Sequence, residues 1–285
     1  MGKTVRETFR VPADLRGAAD LATLDPRARP IGPRDKAAAA EDLNGLADRL
    51  DHLQEALYAE AIGGGDRAVL LVLQGMDTSG KGGVIRHVGG LVNPQGLQIA
   101  TFKKPTEEEL AHHFLWRVRS QVPDPGRIGI FDRSHYEDVL IARVDELVPE
   151  DVWRHRYTEI TEFEAELAAQ GVTIVKCMLH ISAKEQAERL LARLDDPAKR
   201  WKYNTGDLDA RAKWPAYQDA YAEALHHTDT DAAPWYVIPS DRKWYRNWAI
   251  AALLAETLAD LDPQFPQAAI DVDAERARLA ASVVG

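Results

Sequence analysis

Residues 68–75 read AVLLVLQG, and the same kind of short, apolar, β-prone run returns as LQIATF at 97–102, RIGIFDRS at 127–134, VTIVKCMLHI at 172–181 and WYVIPS at 235–240. Helix-patterned segments at 81–92, 106–120, 149–170, 184–195 and 242–260 alternate with them. Strands this uniformly apolar have no face for water, so their sheet must be covered on both sides. Regular alternation with helices provides the cover through parallel crossovers. The expected fold is α/β: three layers, with a five-stranded parallel sheet flanked by helices. Ligands in such sheets bind beyond the carboxyl ends of the strands, which makes strand-end residues the first candidates for chemistry.

The flanks read differently. From about Lys36 to Ile62, Leu43, Leu46, Leu50, Leu53 and Leu57 recur at alternating spacings of three and four, and GGG at 63–65 stops the pattern. This predicts an amphipathic helix whose stripe packs on the chain's own core or pairs with a second subunit. Residues 1–34 carry Pro12, Pro26, Pro30 and Pro33 among many charges and are expected as an extended arm over the surface. The expected division is 1–65 arm and helix, 66–262 main domain, and 263–285 C-terminal extension.

A net charge of −10 excludes generic attraction to nucleic acid or to an anionic membrane, so any anion site must be local. The single cysteine, Cys177, lies in an apolar run, which suits a buried thiol in a reducing compartment and excludes a disulfide framework or a cysteine zinc site. The nine histidines form no HExxH pair, and the seven tryptophans, at mixed spacing, suit packing better than a base-stacking shelf. With no apolar leader pattern at the N-terminus and no uninterrupted apolar run of about 18 residues, a soluble cytoplasmic protein is expected.

The first strand runs into GMDTSGKGG, 75–83. That is the order of a phosphate-binding loop: strand, Gly75, four residues, Gly80-Lys81, helix. Gly75, Gly80, Gly82 and Gly83 let successive N–H groups face one centre, the helix adds the positive end of its dipole, and Lys81 adds a full charge. Gly82 stands where a Ser or Thr usually holds Mg²⁺. A metal therefore needs other hard oxygen ligands. Asp77, inside the loop, and Asp132, ending IGIFD, are placed to supply them; an Asx turn and a helix cap are their bland alternatives. Arg133 follows and can clamp phosphate oxygens, or else pair with Glu137 or Asp138. Beyond the fourth strand, Arg189 and Arg193 share a helix face and Lys199, Arg200 and Lys202 follow a break at Pro197. This cationic segment is either a lid closing over phosphates or a solvated face.

Four segments together resemble the second family of polyphosphate kinases: GMDTSGKGG (75–83), FKKPTEEELAHHFLWR (102–117), FDRSHYEDVL (131–140) and RLDDPAKRWK (193–202). The resemblance implies a thymidylate-kinase-like P-loop fold with a helical lid at about 182–215. It implies transfer of the terminal phosphoryl of inorganic polyphosphate to a nucleotide with Mg²⁺, for which Mn²⁺ can substitute. Carried over by position, Asp77, Lys81, Asp132 and Arg133 are the catalytic set, with Asp77 and Asp132 on metal. Gly80, Lys81, Gly82, Gly83, Arg133, Arg189, Arg193, Lys199 and Lys202 hold polyphosphate. Glu137, Asp138 and Lys103 contact the nucleotide. Where ADP-preferring members usually read NPRG and DRSWYNR, this chain has NPQG (93–96) and DRSHYED, with Glu137 for Asn. These departures resemble the subgroup that accepts nucleoside mono- and diphosphates; adenine nucleotides are the expected acceptors with guanine nucleotides as a further option, and the leucine pattern of 43–57 suits a homo-oligomer. The competing reading on the same scaffold is an ATP-dependent kinase of a small molecule or nucleotide, against which Gly82 counts.

Overall fold

The computed structural model describes residues 2–282. The strands are β1 (Ala68–Gln74), β2 (Leu97–Thr101), β3 (Ile128–Asp132), β4 (Val172–His180) and β5 (Trp235–Pro239). They pair in the order β2-β3-β1-β4-β5, every neighbour parallel. The chain thus leaves β1 toward one half of the sheet and later fills the other. The crevice where the order reverses opens at the carboxyl ends of β1 and β3, where Leu73 is in register with Asp132.

The longer helices are α1 (Lys36–Ile62), α2 (Lys81–Val88), α3 (Glu150–Ala169), α4 (Ala183–Asp195), α5 (Gly206–Ala212), α6 (Trp214–Thr228) and α7 (Lys243–Leu261). Side chains of β1 alternate between two separate cores. Leu70 and Val72 join Trp153, Ile160 and Phe163 of α3 and Tyr221 and Leu225 of α6. Val69, Leu71 and Leu73 join Leu50 and Leu57 of α1, Val84 of α2 and Ile250 and Leu254 of α7. Each buried aliphatic side chain contributes about 1.5–3 kcal/mol. Since neither face of the sheet is free, the continuous apolar pattern is explained. Helix α7 is buried almost all round because α1 covers the side turned away from the sheet.

Two expectations are corrected here and a third is met. The arm is not a strand of chain laid over the surface: Val5 and Phe9, from a short helix (Val5–Phe9), enter one core, and Val11, Leu15 and Leu21 enter the other. The leucine stripe of α1 packs on this chain's own core, with Leu50 and Leu57 buried and Leu43, Leu46 and Leu53 partly so, the first of the two readings its spacing allows. The segment 106–120 is two short helices, Glu107–Leu110 and Trp116–Arg119, separated by a turn. Its apolar residues do not share one face, since Leu115 and Val118 are buried while Leu110 is 68% exposed. Beyond α7, a helix at Val272–Ala281 buries none of its side chains. Among the described residues no helix is long and apolar enough to cross a membrane.

Candidate active site

Strand β1 ends in the glycine-rich loop, and α2 begins at Lys81. Gly80 precedes it with φ 110°, a left-handed conformation that a residue with a Cβ adopts only under strain. Thr78, inside the loop, and Arg133, just past β3, hold φ near 64° despite their side chains. Such strain, about 1–3 kcal/mol each, persists where function retains it. Two loop hydroxyls, Thr78 Oγ1 and Ser79 Oγ, are buried without a partner among the described residues.

Lys81 is buried, and its Nζ donates to the Gly75 carbonyl (2.7 Å), closing the loop on itself. Burial, aided by Arg133, lowers its pKa, while Asp77, Asp132 and Glu137 pull the other way. The Arg133 guanidinium bonds Asp77 Oδ1 at 2.9 Å and lies 3.9 Å from Glu137. Burial works against its charge, but Glu137, Asp77, Tyr221 and Asp132 outweigh burial and hold its pKa above the ordinary arginine value. Burial raises the Glu137 carboxyl, only partly countered by Arg133 and Lys81. The Asp132 carboxylate accepts no hydrogen bond and joins no ion pair among the described residues, although it ends β3 beside this cluster.

A cavity of about 340 Å³ opens over Asp77, Arg133 and Glu137, while Lys81 and Asp132 stand beside this cluster without lining it. Gly75, Asp77, Arg133 and Glu137 form its floor; Asp145, Asp207, Asp209, Lys213, Tyr217 and Tyr221 close its sides and roof. The roof comes from α5 and the start of α6, so the segment after β4 does fold over the loop. Five lining carboxylates (Asp77, Glu137, Asp145, Asp207, Asp209) face two cations, Arg133 and Lys213. Lys213 is already paired with Asp145 at 2.8 Å. A polyanion cannot enter such a lining without added cations. Hard carboxylate oxygens suit Mg²⁺, which takes one or two protein carboxylates and completes its shell with water and phosphate oxygens. Accordingly, no three metal-ligating side chains gather into a complete site among the described residues.

Other sequence candidates are deployed elsewhere. Arg189 is buried, and its five N–H groups are all engaged: with Glu185, the carbonyls of Thr78 and Ser79 in the loop, and those of Ser240 and Asp241. It braces the loop and has no donor left for phosphate, which corrects its assignment as a lid contact. Asp138 is held by Arg156 (3.3 Å) and Arg117 (3.8 Å) and does not line the cavity. Lys103 is exposed past β2, outside the cavity, its carbonyl accepting from Arg117. Arg193 bonds Asp207 (3.2 Å) and the Lys202 carbonyl, while Lys199 pairs with Asp196 and Lys202 rests on exposed Trp201. Burial pushes the Cys177 thiol far up, as expected of an inert core residue.

The loop after β3 is fixed from behind by a buried polar network. Lys176 Nζ on β4 donates to Glu164 Oε2 (2.5 Å), Tyr136 Oη (2.8 Å) and the Thr228 carbonyl (2.7 Å), using all three protons. Glu164 Oε1 receives the Tyr136 hydroxyl (2.8 Å) and lies 3.2 Å from His135 Nε2. Neither Lys176 nor the cavity's Lys213 and Tyr217 had a local signal beyond their residue type. Only the folding of distant segments onto one another reveals them.

The model of the family described as polyphosphate kinase 2 matches residues 34–266. This chain belongs to the polyphosphate kinase 2 family. Among its relatives is an AMP/ADP-polyphosphate phosphotransferase of Meiothermus ruber, 51% identical over 259 residues, covering 91% of this chain and 95% of that protein. An ADP-polyphosphate phosphotransferase of Rhodopseudomonas palustris is 43% identical over 80% of this chain and 81% of its own length. The crystal structure of a polyphosphate kinase 2 from Arthrobacter aurescens superimposes with a TM-score of 0.94 at 47% identity, covering 98% of each chain. The polyphosphate kinase 2 fold therefore extends over the arm as well as the sheet.

Proposed function

We infer that this polyphosphate kinase 2 transfers the terminal phosphoryl group of inorganic polyphosphate to AMP and ADP, forming ADP and ATP, reversibly and with Mg²⁺ or Mn²⁺. The observation that carries the reading is the gathering of Lys81, Asp77, Asp132, Arg133 and Glu137 at one switch point, with Asp77, Arg133 and Glu137 beneath an acid-rich roof. The loop amides and Lys81 hold the donor chain; Arg133 faces the transferred group. Asp132, free of partners among the described residues, and Asp77 supply the metal with oxygen ligands. When bound, the metal neutralises donor and acceptor oxygens. An acceptor phosphate is already ionised at neutral pH, so no general base is required. Glu137 favours the monophosphate-accepting subgroup; guanine nucleotides are further acceptors, and the protein works as a homo-oligomer in the cytoplasm. Purified protein with Mg²⁺, long-chain polyphosphate and AMP or ADP should form ADP and ATP, read by chromatography. Absence of product with both acceptors would sink the reading, and phosphorylation of another metabolite by ATP would install the competing one.

Position 82 separates the two donors. A Cβ there would meet nothing within 4 Å, so the protein's own packing does not require glycine. Gly82→Ser is expected to hold or raise the thermal midpoint, since serine is better than glycine in a helix by roughly 0.5 kcal/mol. By returning a metal-binding hydroxyl, it should raise the ratio of kcat/KM for ATP as donor over that for polyphosphate by several fold. An unchanged ratio would show that residue 82 takes no part in choosing the donor.

A further inference from the structure

Position 83 differs from position 82, and so does position 80. A Cβ on Gly80 would collide with the Arg246 guanidinium, and one on Gly83 would lie 2.8 Å from Arg246 Nη2. Arg246, in the first turn of α7, is 2% exposed. Its Nη1 donates to the Ser79 carbonyl (2.9 Å), while Nε and Nη2 donate to Asn247 Oδ1. The same Ser79 carbonyl receives Arg189 Nη1 at 3.0 Å. Two guanidinium groups thus converge on one loop peptide, but they differ in compensation. Arg189 has Glu185 at 2.9 Å; Arg246 has no carboxylate partner among the described residues.

We propose that Arg246 is a positioning residue for the phosphate donor, holding the Ser79–Gly80 peptide from behind and placing under the loop a charge whose counter-ion is the bound polyphosphate itself. The proposal rests on the reading that this loop holds the donor. Charged donors on a carbonyl polarise the peptide and strengthen its N–H as a donor on the opposite side. An unpaired buried charge is unfavourable in the empty protein and relieved when an anion arrives. Burial, with Arg189 nearby, brings the pKa of Arg246 down to about 9, as expected of a cation lacking an anion.

The test is tripolyphosphate binding by calorimetry, with thermal midpoints measured in its presence and absence. Arg246→Met should weaken tripolyphosphate at least tenfold, about 1.4 kcal/mol, and shrink the ligand-induced rise in midpoint. The midpoint of the ligand-free protein should move little. Arg246→Lys, which keeps the charge, should bind within about threefold of the parent, by the same Coulomb argument. Parental affinity in Arg246→Met overturns the proposal, as does a lysine variant as weak as the methionine one. A purely structural arginine would lower the ligand-free midpoint and leave the affinity alone. If Arg246→Met does not fold, Arg246→Gln removes the charge with partial hydrogen bonding and is read identically. Lys81→Met separates the two levels: parental binding there means the loop is not the donor site, whereas weak binding there with strong binding in Arg246→Met refutes the role of Arg246 alone.

Discussion

Lys81→Met should reduce polyphosphate-driven ATP formation by about a thousandfold or more, while shifting the thermal midpoint by only a few degrees. The catalytic loss follows from removing the single full charge that the loop carries toward the transferred phosphoryl. Removing one oriented donor costs about 10²–10³, and removing a cation from a phosphoryl-transfer site about 10³–10⁵. The small structural effect follows from the side chain's single hydrogen-bond partner among the described residues, the Gly75 carbonyl. That bond is worth about 1 kcal/mol net, and burial already disfavours the charged form. Asp132→Asn should likewise cost at least a hundredfold, on the same scale of lost transition-state stabilisation, with even less effect on folding because its carboxylate bonds nothing among the described residues. Initial rates at saturating substrate, alongside thermal melts, read both quantities. Turnover above roughly a tenth of the parent's, a loss smaller than one oriented donor should cause, in either variant would mean that these residues do not form the reacting centre.

Lys176→Met should produce the largest loss of stability. Burial lowers the lysine's pKa against the pull of Glu164. Burial also pushes the Glu164 carboxyl up, yet Lys176 and His135 together bring it below its ordinary value. Both groups are nearly inaccessible. Removing one member strands a buried carboxylate, at a cost of about 3–5 kcal/mol. At about 2–4 °C per kcal/mol for larger domains, the midpoint falls on the order of 10 °C. Adding Glu164→Gln to the same chain should recover part of the loss, because a neutral amide no longer needs the ammonium. A single-variant loss below about 1 kcal/mol, the scale of an ordinary hydrogen bond, would show that the pair is not maintained in solution. Since Tyr136 and His135 belong to this network, kcat should fall along with stability.

The strands and the loop were legible because their signals are local. Each apolar run lies within two residues of an observed strand, and Gly80-Lys81 marks where α2 begins. Arg189 shows where local reading stops. Its spacing from Arg193 places both on one face of α4, but four residues advance a helix by about 6 Å. One guanidinium therefore ends beneath the loop and the other out at Asp207. Lys103 and Asp138 lie inside matching motifs, yet neither lines the cavity. Tyr217 and Arg246 come from helices, and Lys213 from the turn between two, whose orientation is fixed only by tertiary packing; no periodicity in their own segments announces it.

The packed arm alters how the sheet is bounded. Arg10 bridges antiparallel to Tyr236, and the Val11 amide donates to the Trp235 carbonyl at 2.9 Å. A partial sixth strand therefore occupies hydrogen-bonding positions that β5 would otherwise present to other chains, and an unpaired strand edge is a template for aggregation. The family model begins at residue 34, downstream of this cover. A fragment cut to those limits would keep every residue of the phosphate-binding loop and still expose both a bare edge and the hollows left by Phe9, Val11, Leu15 and Leu21. The boundary of the chemistry is not the boundary of the folding unit.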